Sequence, residues 1–105
     1  MPSDLLVLLT TLPSEWNESQ IEYFSRSLLD AGAACIEYSA ITSMFRWDGS
    51  VTASKEWKIE VKLSSVFKQH VIQALKDHHP YDVPQIVCIF GEASDTYASW
   101  ASNRS

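Results

Sequence analysis

Residues 56–63 constrain this chain more than any other segment. Trp57, Ile59, Val61 and Leu63 alternate with Glu56, Lys58, Glu60 and Lys62. A period of two places four apolar side chains on one face of a strand and four charges on the other. The chain must therefore build a sheet with one face against a core. Asp48-Gly49 lies upstream, with the β-formers Cys35, Ile36, Tyr38, Ile41, Thr42, Phe45 and Trp47 before it. An Asp-Gly pair between two strand-like runs is a hairpin signal. We expect an antiparallel pair, with a first arm over about 33–47 and a bend near Ser39-Ala40, where the alternation breaks.

The remaining elements follow from periodicity. Leu5 to Leu9 is a short apolar run closed by Leu12-Pro13-Ser14, which reads as a buried strand. Ile21, Phe24, Leu28 and Ala31 fall at helical spacing. The expected helix spans about 14–31, with Ser14 as N-cap and Gly32 as the left-handed C-cap glycine. A second helix starts at Ser64 or Ser65, buries Val66, Phe67, Val71 and Leu75, and ends at His78-His79 before Pro80. Residues 80–84 form a loop, Ile86 to Phe90 a fourth strand, and 91–94 a turn. Asp95 caps a short last helix carrying Tyr97 and Trp100, and residues 102–105 fray.

The order β-α-β-β-α-β-α predicts one α+β domain over 1–105: a ferredoxin-like plait with a short C-terminal helix. Right-handed crossovers put the two main helices on one face of a four-stranded antiparallel sheet ordered 4-1-3-2. The first and fourth strands are apolar on both parities, so the other face needs a cover. That predicts an oligomer. Cys35 and Cys88 then lie on opposite edge strands, roughly 14 Å apart by strand spacing, too far for a disulfide within one chain.

Composition narrows the function. Eight basic and thirteen acidic residues give a net charge of −5, which disfavours nucleic-acid backbones. No apolar run approaches the ~20 residues of a membrane span. The start, Met1-Pro2-Ser3-Asp4, lacks a positive n-region, so a cytoplasmic location is expected. The three glycines are scattered, which argues against a phosphate-cradling loop, and no CxxC or HExxH spacing occurs. Thr10 to Ser14 has neither glycine nor arginine, against an acylphosphatase-type site, and nothing in the spacing brings a cysteine to a histidine. An enzyme is not expected. Cys35, Cys88, His70, His78, His79 and Met44 have the chemistry of copper or zinc ligands.

Several blocks carry a resemblance. Ala33-Ala34-Cys35-Ile36, Thr42 to Gly49, and His79-Pro80-Tyr81-Asp82-Val83-Pro84-Gln85-Ile86 are similar to the CutA divalent-cation tolerance family, the last block to its HPYEVPEI hallmark. Glu56, Lys62, Gly91, Tyr97 and Trp100 fit the same pattern. The resemblance implies a tight homotrimer with no established catalytic activity, joined through extended hairpins. It also implies a link to copper and other divalent cations and, in animals, to acetylcholinesterase anchoring. From it we expect Cu2+ or another divalent cation to be held by Cys35, His79 or Cys88. The alternative is a PII-like trimeric signalling or interaction module, with Trp47, Glu56, Lys62, Tyr81 and Asp82 lining an intersubunit cleft. The chain departs from the pattern at Gly32 (usually leucine), Glu37 (usually asparagine), Phe45 (usually tyrosine), Leu63 (usually threonine), and Asp82 and Gln85 (usually glutamates). It is also one residue shorter around Tyr38-Ser39-Ala40.

Overall fold

A computed structural model describes residues 2–103. The Asp-Gly hairpin forms as the sequence predicts. β2 (Cys35–Trp47) and β3 (Ser50–Leu63) are joined by Asp48 and Gly49 alone, with Trp47 opposite Ser50. Both turn residues have positive φ, 51° and 80°, as in the type I′ turns that match the twist of paired strands. The ladder runs from Trp47↔Ser50 to Cys35↔Lys62 without a slip. The expected bend at Ser39-Ala40 is therefore absent: Ser39 pairs with Lys58 and Ala40 with Trp57 in unbroken register.

β1 (Pro2–Pro13) pairs with the second half of β3 and, on its other side, with β4 (Val87–Ser94). The sheet is antiparallel throughout in the order β2-β3-β1-β4, the predicted plait. β4 is longer than the apolar run suggested. Its expected turn, Gly91 to Ser94, instead pairs with Leu5 to Pro2.

Opposed residues share a face, so the register sorts the side chains. Leu6, Leu8, Thr10 and Leu12 lie opposite Leu63, Val61, Ile59 and Trp57. This face meets α1 (Glu18–Asp30) and α2 (Lys68–His78), with Ile21, Phe24, Leu28, Val71 and Leu75 completing a core that excludes water. α1 starts later than expected. The Trp16 amide bonds the Pro13 carbonyl in a turn, and Asn17, not Ser14, is the N-cap, in a reciprocal capping box with Gln20. α2 is likewise delayed by a 3₁₀ turn at Ser65–Phe67.

α3 (Asp95–Ser102), capped by Ser94 rather than Asp95, lies on the opposite face of the sheet. Its Tyr97 phenol feels Cys35, Lys62 and Glu37, which share the face turned away from α1 and α2. Leu5 and Ala101 are buried there, outside the main core. α3 covers one end of that face. The other end leaves Val87 and Ile89 exposed beside half-buried Val7 and Leu9. The outer half of the β2–β3 hairpin also projects, because β1 ends opposite Glu56. Met44, Trp47 and Val51 are exposed on it, and the long dimension of the molecule reaches 46 Å. Of the expected fray at 102–105, Ser102 is helical, and 104–105 lie outside the described residues.

Gly32 follows α1 with φ of 122°, and a Cβ there would lie 2.6 Å from Cγ of Phe67. The Phe67 ring thus fills the space a side chain at 32 would need. At Gly49, φ is also positive but nothing lies within 4 Å. Gly32→Ala should therefore cost about 2–4 kcal/mol from strain plus overpacking, against about 1 for Gly49→Ala. Urea denaturation of the two variants checks the difference.

Candidate functional site

Two polar clusters hold most of the sequence-predicted residues. The first forms where β4 stops short. Pairing of β1 with β4 ends at Leu9↔Val87, so the last residues of β1 have an open edge on that side. The exit of α2 fills it. Pro80 disfavours helical backbone in the residue before it, and His79 is extended at φ −80°, ψ 134°. Its ring points at β1. Nε2 lies 2.8 Å from the Thr11 carbonyl oxygen and 3.0 Å from Thr10 Oγ1. A carbonyl oxygen only accepts, so Nε2 carries the proton. Nδ1 accepts the Tyr81 backbone N–H at 3.2 Å, which requires it to be unprotonated. The ring is packed edge-on against Phe24 and tilted against Tyr81. Burial holds the His79 pKa below its ordinary 6.5, opposed by the Thr11 carbonyl and Glu56.

The Tyr81 hydroxyl donates to Glu56 Oε2 at 2.8 Å. Glu56 is only 8% exposed, so this bond compensates a carboxylate largely removed from water. Burial, and then the bond to Glu56, push the Tyr81 phenol well above its ordinary range. Asp82, next along the loop, is exposed.

The second cluster sits at the other end of β3, beneath α3. Lys62 pairs with Glu37 on β2 and lies 3.5 Å from Glu60. The hydrogen bond to Glu37 raises the Lys62 pKa against the effect of burial. Cys35 lies directly opposite Lys62. Burial, with Cys35 next to it, raises the Tyr97 phenol.

The expected cleft residues are thus not one site within a chain. Glu56 and Lys62 are six strand positions apart, roughly 20 Å, and Ser50, opposite Trp47, is about as far again in the other direction. Tyr81 and Glu56 do meet, and Lys62 finds Glu37 instead. The expected metal ligands are also separated. Cys35 and Cys88 are free thiols on opposite edge strands. They also face opposite ways: Cys88 is opposite Leu8 and packs on the core, whereas Cys35 shares the Lys62 face. Both His79 nitrogens are engaged in this structure, Nε2 by the Thr11 carbonyl and Nδ1 by the Tyr81 amide. His70 and His78 are exposed, and His78 packs edge-on with Tyr23. Among the described residues, no three His, Cys, Asp or Glu side chains gather around a common point. Thr10 was missed. A lone hydroxyl on the core parity of an otherwise leucine strand was the available signal.

The family model of the CutA1 divalent ion tolerance protein matches residues 6–104. The chain belongs to this family. The divalent-cation tolerance protein CutA of Citrobacter koseri is 28% identical over 99 residues, covering 92% of this chain and 84% of that protein. The structure of CutA from Synechococcus elongatus superimposes with a TM-score of 0.84 at 27% identity, covering 96% of this chain and 90% of that one. CutA1 from Ehrlichia chaffeensis gives 0.80 at 29% identity, covering 92% and 91%.

Removing the phenol hydroxyl leaves the Glu56 carboxylate without its donor. Tyr81→Phe should destabilise the protein by about 1–3 kcal/mol. In the background of Glu56→Gln the same change should cost clearly less. A double-mutant cycle in urea measures that coupling.

Proposed function

We propose that this CutA-family chain acts in divalent-cation tolerance as a non-catalytic homotrimer, taking up copper or another divalent ion at Cys35. The observation that carries the reading is the second sheet face. Its apolar strip of Val7, Leu9, Val87 and Ile89 lies partly uncovered beside a projecting hairpin tipped by Trp47. Exposed apolar area of this kind is what a subunit interface covers. A cyclic trimer has heterologous contacts, in which one surface of a copy meets a different surface of the next. The projecting hairpin and the strip supply two such surfaces.

Elimination among the candidate ligands favours Cys35. Cys88 packs on the core and His79 has neither nitrogen free, whereas Cys35 is half-buried on the face that assembly closes. Glu37 lies two positions along β2 on the same face. A thiolate and a carboxylate from one chain make an incomplete set for copper or zinc, so the remaining ligands come from a second copy. The names of the matching proteins support the divalent-cation class. A small-molecule cleft is less well supported, because Trp47, Glu56 and Lys62 are strung along the hairpin rather than gathered.

Native mass spectrometry before and after one equivalent of Cu(II) or Zn(II) tests the reading. We expect a trimer that gains about one metal per chain, and loss of that uptake in Cys35→Ser with the trimer intact. A monomer would refute the assembly, and a trimer indifferent to metal would refute the ion-binding role.

A further inference from the structure

We propose that the groove between the start of α1 and the end of α2 binds a small molecule carrying a quaternary ammonium group. The rings of Trp16, Tyr23, Phe24 and His78 line it. Its volume is about 520 Å³, within the range of pockets that enclose whole small molecules. The rings brace one another. Trp16 stands edge-on to Phe24 with centroids 6.1 Å apart, and Tyr23 edge-on to His78 at 5.9 Å. The backbone of Trp16 is held as well, its carbonyl accepting the Trp57 indole N–H at 3.1 Å. Tyr23 is 69% exposed and lies outside the core, so core packing does not account for an aromatic ring there. An aromatic face attracts a cation through its quadrupole, and several faces around one space form the arrangement that holds quaternary ammonium groups.

Charge favours a cation over a neutral guest. No Lys or Arg precedes Arg26 in the sequence, and Arg26 pairs with Glu22. Glu15 and Glu18 flank Trp16 and Asn17 along the chain, and Asp77 precedes His78. Glu18 lies in the first turn of α1, where it offsets the positive end of the helix dipole. Lys76 is two residues from His78 and therefore on the opposite side of α2. Hydrogen bonding then selects the kind of cation. The side-chain oxygens of Asn17 and Gln20 already accept backbone amides in the capping box, and the Asn17 carbonyl accepts the Ile21 amide. Among the described residues, no carboxylate lines the groove. An ammonium or guanidinium ion would lose bonds to water that these walls do not replace. A quaternary ammonium ion has no N–H to satisfy, and its methyl groups suit aromatic walls. The groove is built on the two helices, on the opposite side of the sheet from the apolar strip. The inference is therefore independent of assembly and of metal binding.

Titration of the full-length protein with tetramethylammonium chloride tests it, at constant ionic strength with a chelator present and read by proton–nitrogen NMR. The Trp16 indole N–H and the Tyr23 amide should shift saturably. The affinity should be about fivefold or more above that for tert-butanol, a neutral molecule of similar size, and above that for guanidinium. Because Tyr23 is exposed, its variants should fold. Tyr23→Leu should weaken binding about fivefold or more, and Tyr23→Phe, which keeps the ring, should change it by less than about twofold. No saturable shift, an equal affinity for tert-butanol or guanidinium, or a Tyr23→Leu variant that binds like the wild type would each overturn the site. A trimethyllysine peptide that binds more tightly than free trimethyllysine would overturn the small-molecule assignment in favour of a protein partner.

Discussion

Everything in this structure hangs on β3 being held from both sides. It pairs with β2 along almost its whole length and with β1 over its second half. Its strict alternation gives the sheet two chemically distinct faces. Ile59, Val61 and Leu63 commit one face to the helices, and a shift of one residue in either ladder would bury Glu60 and Lys62 there instead. The energetic cost of burying unpaired charge makes that slip prohibitive. The two-residue Asp48-Gly49 turn fixes the register of one ladder locally. The leucines of β1 fix the other through the core.

The parts legible in the sequence are those where a repeating pattern and a local signal agree. The β3 alternation, the Asp-Gly turn and the helical spacing of Ile21, Phe24 and Leu28 together give the plait and its strand order. Element ends were less legible because they depend on reciprocal contacts. Ser14, Asn17 and Ser19 are all polar residues ahead of the apolar stripe. Asn17 becomes the cap because Gln20 answers it and because the turn closed by Trp16 on Pro13 occupies the residues between. Gly91 looks like a strand terminator. In the ladder it lies opposite Leu5, and the backbone oxygen of Leu5 stands 3.8 Å from where its Cβ would be, so β4 continues with no steric penalty. At Ser39-Ala40 the uneven hydrophobicity marks weak burial of β2, which is an edge strand, rather than a bulge.

The polar clusters were legible only as residue types. Glu56 and Lys62 share a face and a strand, and sequence spacing invites grouping them. Strand geometry separates them by about 20 Å, and each takes its partner from a different element: Tyr81 from the loop after α2, Glu37 from β2. His79 shows the same limit more sharply. An imidazole beside Pro80 carries the chemistry of a ligand, but its placement here follows from two backbone groups, the Thr11 carbonyl and the Tyr81 amide, which no pattern of side chains encodes.

Those two backbone groups also explain how the 79–86 segment is oriented. Pro80 and Pro84 each restrict φ and lower the entropy lost on ordering, but restriction alone does not choose an orientation. His79 chooses it, by satisfying a β1 carbonyl that β4 leaves uncovered and by receiving the next free amide of its own loop. The short reach of β4 and the extended exit from α2 are thus complementary. Had β4 paired as far as Thr11, the carbonyl would have had a strand partner and the imidazole no place on the edge. The gap in the ladder is what turns a helix-ending histidine into a structural joint.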